Sequence, residues 1–521
     1  HYRRYADPRY YKGVEYADII ESLARRRCAE AFANDKVNTD NLYANVQPLS
    51  GAPANNAVYT ALIAPGDTIL GMNLLHGGHL SHGSSANRSG KLYKVIHYNV
   101  DPVTEKIDYG AIAALAAEHK PKIIIAGYSS YPWVPDYAEY RKIADSVGAY
   151  LLADISHIAG MTAAGVIPSP IGYAHVITFT THKTLCGPRG ACILTSDLPL
   201  ARKIDRAVFP GEQGGPHVHV MAAMALTFKL AKTKEFKDLQ TQILKNCTVL
   251  TERLRERGLR IPFGGTNTHL ANLDCKSIVG PDGTALSGDM AARILDIAGL
   301  VCNRNTIPGD KTANNSSGVR FGTPWATQRG LKEADMLQVA DIMADILKST
   351  VPYSVETRQG LQIRAKVDFE ILENAKIKVR ELAAKAGADT QINKSGYPHF
   401  YYLDDAAPSK DDWSVLDLIG EKVLTFAHFV FTSDLDSLKQ GQSIPCQFLA
   451  NKKTIEGNLT LIAEDHLLLS ISVKDAPLAA AWLRDLSDGY VSFDPDVTRR
   501  FAGPIVVRYS EHTPVKTAAG Y

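Results

Sequence analysis

The sequence predicts an α/β fold in which a mostly parallel sheet is covered by helices on both faces. Five short apolar runs, at residues 68–71, 122–126, 150–153, 175–178 and 191–194, are bounded by turn residues. Helical stretches lie between them, the pattern of successive βαβ units. Runs that stay apolar throughout suit strands buried on both faces. In such sheets ligands lie beyond the carboxyl ends of the strands. Asn73, Ser129, Asp154, Thr180, His182 and Lys183 fall there, so chemistry is expected among them.

The flanking elements follow from periodicity and stop signals. Ile19, Ile20, Leu23 and Ala24 stand at helical spacing and predict a helix over Glu15–Phe32, followed by a polar loop at 33–41. Residues 221–257 are strongly helical, with Gly258 as a stop signal. A smaller α+β unit is expected over 259–349, with strands near Leu270 and Val319 and a closing helix from Lys332. A further amphipathic helix is predicted over 359–386, ended by Gly387. Residues 388–413 read as a boundary before a last α+β region. The expected division is 1–220, 221–387 and 388–521.

Composition narrows the class. Of 521 residues, 45% are hydrophobic and 21% charged, which excludes wholesale disorder. Lys+Arg 57 against Asp+Glu 55 gives no electrostatic reason to expect nucleic acid or an anionic membrane. Seven cysteines lack CxxC pairs or metal-ligand spacing, and the odd number argues against a disulfide framework. With those cysteines a reducing cytoplasm is expected, and no apolar run is long enough to span a bilayer and no charged-then-apolar leader opens the chain. The chain begins with His1 and not Met, and a trimmed N-terminus is expected.

Four segments carry candidate chemistry. In Thr180-Thr181-His182-Lys183-Thr184 a lysine follows a strand run. Desolvation there lowers its pKa and makes an imine with an aldehyde feasible. A lone lysine is usually a surface cation, so the reading needs company. Asp154 supplies it, because a carboxylate at a strand end can keep a pyridine nitrogen protonated and make the ring an electron sink. The competing reading of Asp154 is a helix N-cap. Ser50-Gly51-Ala52 opens a helical stretch, where backbone N–H groups, a hydroxyl and the dipole can receive a phosphate. In His76-Gly77-Gly78-His79 the glycines permit close approach and an imidazole could stack on a flat ring. A zinc pair is the alternative, weakened by the lack of a nearby carboxylate or thiol ligand.

Tyr43-Ala44-Asn45-Val46-Gln47-Pro48, Gly71-Met72-Asn73-Leu74, Ser89-Gly90-Lys91-Leu92-Tyr93, the Lys183 segment, Gly187-Pro188-Arg189-Gly190 and Gln213-Gly214-Gly215-Pro216 resemble the serine hydroxymethyltransferase family over residues 10–347. The resemblance implies the aspartate-aminotransferase type of fold, a large domain and a small α+β domain, with an added C-terminal module. It implies that Lys183 holds pyridoxal 5'-phosphate as a Schiff base and that Asp154 pairs with the pyridine nitrogen. His79 would stack on the ring, with Ser129 and His157 near its hydroxyl. Ser50, Gly51 and Ala52 would bind the phosphate, helped by Gly214 and Gly215 of a neighbouring subunit. His182 falls among the cofactor-binding residues, and Thr180 joins Lys183, His79, Asp7 and Tyr11 as catalytic. Arg320 would clamp the substrate carboxylate through its planar fork. Tyr5 and Tyr11 would reach the partner's site, which requires a homodimer or a dimer of dimers.

The sequence also departs from the family. Asp7 stands where a catalytic Glu is expected, one methylene shorter, and the Gly-rich loop before Arg9-Tyr10-Tyr11 is reduced. Residues 34–42 form an insertion, and Trp325 follows Thr323-Pro324. Residues 435–443 and 479–483 faintly resemble part of the aminomethyltransferase fold of glycine cleavage, another folate-handling family; the alternative is a module for assembly. The expected activity is reversible hydroxymethyl transfer between L-serine, or an analogue such as α-methylserine, and tetrahydrofolate. The alternatives are a folate-independent aldolase of β-hydroxy amino acids and a catalytically weak folate- or partner-binding protein.

Overall fold

A computed structural model describes residues 9, 11–358, 360–388, 402–409 and 412–513. They fall into two compact units, one made of residues 1–274 with 304–337 and the other of 275–303 with 338–521. Both cut across the expected boundaries at 220 and 387.

The first unit is organised by seven strands: β1 (Tyr43–Asn45), β2 (Thr68–Met72), β3 (Lys94–Tyr98), β4 (Ile123–Gly127), β5 (Tyr150–Asp154), β6 (Val176–Thr180) and β7 (Ala191–Thr195). Their order is β1-β7-β6-β5-β4-β2-β3. From β6 to β3 every pairing is parallel, while β7 and β1 are antiparallel at one edge. All five apolar runs of the sequence are strands. Alternate residues enter different cores: Leu70, Ile124, Ala126, Leu151 and Phe179 pack on one side, and Ile69, Ile123, Ile125, Leu152 and Val176 on the other. Burial of both faces explains why the runs show no alternation. The helix Glu15–Phe32 forms as predicted, but Ile19 and Leu23 of its expected apolar face are exposed.

A second sheet supports the site. Strands β8 (Leu270–Asp274), β9 (Asn303–Asn305) and β10 (Gly318–Gly322) have the order β8-β10-β9, and Arg320 of β10 lies opposite Asn272 of β8. The predicted helix over 221–257 is two helices, Val218–Ala231 and Lys234–Glu256, because Thr233 caps the second through its side chain. Gly258 ends it with φ of +78°, as its sequence signal suggested.

The other unit corrects one expectation. Residues 360–366 are not helical: β11 (Val351–Thr357) and β12 (Gly360–Lys366) form an antiparallel hairpin, and the helix begins only at Phe369 and runs to Lys385. Asp368 caps it by accepting from the Ile371 N–H, so the β pairing ends where the cap begins. Beyond lies an antiparallel sheet of β13 (Trp413–Ile419), β14 (Ser443–Ala450), β15 (Lys453–Ala463), β16 (His466–Ser472) and β17 (Val506–Tyr509), ordered β14-β15-β16-β13-β17. Leu416, Leu418, Phe426, Leu469 and Trp482 share its core with Phe369, whose ring meets Trp482 edge-on at 4.9 Å.

Under that core the Lys376 ammonium is buried between Glu373 and Asp485, 3.0 Å from an Asp485 oxygen. Removing one partner of a buried ionic cluster leaves the other charges uncompensated. Lys376→Met is therefore expected to destabilise this unit by about 3 kcal/mol, read as a lowered urea midpoint.

Candidate active site

The site is assembled from residues that leave the carboxyl ends of β2, β4, β5 and β6. Asp154 ends β5 with its carboxylate buried. One oxygen accepts from His82 Nε2 and from Asn55 Nδ2, each at 2.9 Å. The other accepts from the backbone N–H of Ser156 at 3.0 Å and from its hydroxyl at 2.6 Å. Burial by itself would raise the carboxyl's pKa. The hydrogen bond and charge of His82, then His79 and Ser156, outweigh it and hold Asp154 well below the usual carboxylate range. Asp154 is not an N-cap, since the next helix begins at Ala159 and has no side-chain cap.

His79 and His82 lie in the glycine-bearing segment after β2. Their rings are 5.4 Å apart, and His79 Nδ1 lies 2.7 Å from the Ser81 hydroxyl. Gly77 and Gly78 are there because nothing larger fits: a Cβ on Gly78 would sit 2.2 Å from the Met72 carbonyl oxygen. The same segment grips the loop after β4, where the Ser129 hydroxyl donates to the Gly78 carbonyl at 2.7 Å. Ser129 returns its own carbonyl to Arg320, which donates from Nη1 at 2.7 Å.

Lys183 sits in a tight loop between β6 and β7. The Thr184 hydroxyl donates to the His157 carbonyl at 2.9 Å and accepts from the Gly160 N–H at 3.0 Å, which locks this loop to the one following β5. A Cβ on Gly160 would lie 2.2 Å from the Thr184 oxygen, so the approach depends on glycine. Thr180 ends β6 and its hydroxyl donates to the Ser156 carbonyl at 3.3 Å. His182 Nε2 lies 3.3 Å from an Arg189 nitrogen.

Ser50 is the N-cap of the helix Gly51–Leu62, yet its side chain makes no capping bond. A Cβ on Gly51 would meet Thr180 Cγ2 at 2.8 Å, which keeps the entrance to the helix bare beside β6. Backbone donors that no side chain caps, at the positive end of a helix, suit a phosphate. Gln213 bonds the Gln47 carbonyl and the Leu49 N–H of the same chain, tying the exposed turn at Gly214 and Gly215 to the residues just before Ser50. Tyr11 is exposed, and Asp7 and Tyr5 lie outside the described residues.

Several contributors escaped the sequence reading. His82 and Asn55 bond Asp154 directly, Thr178 donates to Asn55 at 2.7 Å, and His269 stacks on His157 at 5.6 Å. His82 follows His79 by three residues in one glycine-bearing stretch, and that repetition was the available signal. Nothing near His269 in sequence announced it. The Nδ1 atoms of His82 and His269 are buried without a hydrogen-bond partner among the described residues. No group of His, Cys, Asp and Glu among those residues could hold a metal ion.

The cationic groups feel one another. Burial first, then Arg320 and Arg189, lower the Lys183 amine, while Asp154 pulls it back up. Burial, Lys183, His269 and Arg320 push His157 well below its ordinary value. His269 is pushed down to about 3 by burial, Arg320 and Lys183. His79 is pushed down to about 4 by burial, with His82 and Lys183 adding to the effect and Asp154 opposing it. A depressed histidine favours the fold above its unfolded pKa of about 6.5, and that contribution is lost as pH falls towards 4. In an NMR titration the His79 ring is expected to stay neutral at pH 5.5, where a free imidazole is mostly protonated.

A family model described as serine hydroxymethyltransferase matches residues 2–343, a span that holds every site residue named above. The cofactor of such enzymes, pyridoxal phosphate, finds fitting groups: an uncapped helix start for its phosphate, an ionised buried carboxylate for its ring, and a lysine with a depressed pKa. The match covers well over half of the 521 residues, and the chain belongs to the serine hydroxymethyltransferase family, pyridoxal-phosphate-dependent transferases that use tetrahydrofolate as co-substrate.

Proposed function

We propose that Lys183 is the cofactor-bearing lysine and that the protein moves the hydroxymethyl group reversibly between L-serine, or a close analogue such as α-methylserine, and tetrahydrofolate. The observation that carries this reading is the opposed tuning of two groups at the carboxyl ends of neighbouring strands β5 and β6. Lys183 is biased towards the free amine while Asp154 is held as the anion. When bound, pyridoxal phosphate supplies an aldehyde carbon for an amine and a protonated ring that takes up an electron pair released at the substrate Cα.

The chain's own residues supply orientation and proton control. Ser50, Gly51 and Ala52 would hold the phosphate, and Asp154, kept ionised by His82 and Asn55, would hold a proton on the ring nitrogen. His79, as a neutral imidazole, would cover a face of the ring. Arg320, aimed by the Ser129 carbonyl, binds the amino-acid carboxylate and fixes which bond at Cα is presented for cleavage. Such positioning is among the larger contributions available to catalysis. Thr180 is assigned a catalytic part with Lys183, and His157 and Ser129 would lie near the ring hydroxyl. Asp7 is assigned the proton transfer at the substrate hydroxymethyl group, with Tyr11 and Tyr5 reaching the partner's site.

Assembly into at least a dimer fits the surface of the first unit. Helices Glu15–Phe32 and Val218–Ala231 pack together, with Arg27 donating to the Ala225 carbonyl at 3.0 Å. Their outer side exposes Tyr16, Ile19, Leu23, Leu226 and Leu230. Exposed apolar side chains on two packed helices are what a self-association surface provides. No helix among the described residues is long and apolar enough to cross a membrane, and the seven free cysteines suit the reducing cytoplasm.

Four outcomes test these readings. Lys183→Gln is expected to abolish the cofactor's visible absorbance. Borohydride reduction of the parent protein should leave the cofactor mass on the peptide bearing Lys183, and recovery on another lysine rejects the assignment. Cleavage of serine or α-methylserine should be strongly stimulated by tetrahydrofolate. Unstimulated cleavage would instead mark an aldolase, and tight serine binding without turnover would mark a binding protein. Ile19→Glu combined with Leu226→Glu is expected to shift the sedimenting species towards monomer.

A further inference from the structure

The second unit contains a polar cavity of about 310 Å³ lined by Arg293, Arg364 and Arg500 together with Tyr353, Tyr490 and Asp289. Its residues come from four separate places in the unit. Arg293 and Asp289 belong to the helix Gly288–Ile297, Tyr353 to β11 and Arg364 to β12. Tyr490 and Arg500 follow the helix Ala476–Asp488. Asp289 is engaged along its own helix by Arg293 Nε at 3.2 Å. Neither Arg364 nor Arg500 has a carboxylate within ion-pair distance among the described residues. Arg364 donates to the amide oxygen of Gln362 at 2.6 Å.

The chain invests in holding these cations together. Lys366, two residues beyond Arg364, is wholly buried, and its ammonium donates to the Arg499 carbonyl while lying 4.3 Å over the Phe493 ring. That bond fixes the backbone directly before Arg500. The Arg500 guanidinium then lies against Gly489, where an added Cβ would be 3.2 Å from its Nη2. Gly489 is the left-handed C-cap of Ala476–Asp488, with φ of +79°. Three arginines line one concavity, and among the described residues only Arg293 has a carboxylate within ion-pair distance. Such an arrangement is stabilised by an anion that bridges them, and paired N–H forks match the oxygens of phosphate and carboxylate groups.

We propose that this cavity is a second ligand site, distinct from the cofactor crevice, that binds a small anion carrying two or more phosphate or carboxylate groups. Arg364 and Arg500 grip its charged ends, Arg293 completes the ring of cations, and the phenols of Tyr353 and Tyr490 form the wall between them. The volume admits a molecule about the size of citrate or pyrophosphate and excludes a polymer.

Calorimetric titration of the full-length, cofactor-loaded protein tests this with two probes, inorganic pyrophosphate and citrate, at matched ionic strength. In the loaded protein the phosphate position at Ser50 is already taken. The expected result is saturable binding of one or both probes near one per chain. Affinity should fall at least about tenfold in Arg364→Gln and in Arg500→Gln, and further in the pair. Preference for pyrophosphate assigns a phosphoester ligand, and preference for citrate assigns a polycarboxylate. Absence of saturable binding, or equal affinity in the double variant, overturns the proposal. Unchanged serine turnover and melting temperature in both variants show that the loss is local and not a failure to fold.

Discussion

The site depends on one buried anion. Asp154 sits at the end of a strand that is covered on both faces, where an unpaired carboxylate would take up a proton. Four hydrogen bonds, from His82, Asn55 and Ser156, prevent that. Each donor comes from a different segment: the glycine-bearing stretch after β2, the helix Gly51–Leu62, and the turn directly after β5. Keeping the charge thus requires β2, β5 and the phosphate-side helix in their places at once. Thr178 on β6 completes the arrangement by orienting Asn55.

Around that anion the fold supplies close approach more than bulk. Glycines at 51, 78, 127 and 160 each stand where a Cβ would come within 3 Å of a neighbouring atom. Three of the four meet a backbone carbonyl oxygen, and a main-chain atom cannot rotate out of the way. Main-chain contact thus lays the loop bearing Lys183 against the one following β5, and the loop bearing Ser129 against the glycine segment before His79. Side-chain positions in the crevice inherit that rigidity, which is what orientation of a substrate bond demands.

Much of this was legible in the sequence. The strands were readable because burial on both faces leaves uninterrupted apolar runs, and the chemistry because polar residues follow those runs at the carboxyl ends. Lys183 and Asp154 could be paired on that rule alone. The supporting groups were not readable in the same way. His269 lies 112 positions from His157 in the chain, and only the packing of β8 brings their rings together. Strand β12 falls inside the helix expected over 359–386, because Gln362, Arg364 and Lys366 alternate with apolar neighbours over too few residues to separate a period of two from 3.6. Its strand identity comes from seven residue pairs with β11, a tertiary fact.

The small three-stranded sheet grips residues 129 and 130. Asn272 donates to the Ser130 carbonyl, Asn305 to the Ser130 hydroxyl, and Arg320 to the Ser129 carbonyl. A guanidinium tethered in this way has its heading dictated by peptide geometry instead of by its own flexible stem. Evolution could exchange the walls around an incoming amino acid, and so alter which β-substituent is welcome, without re-aiming the guanidinium proposed to meet its carboxylate. Docking direction and side-chain tolerance are thereby separable traits, inherited through different stretches of the chain.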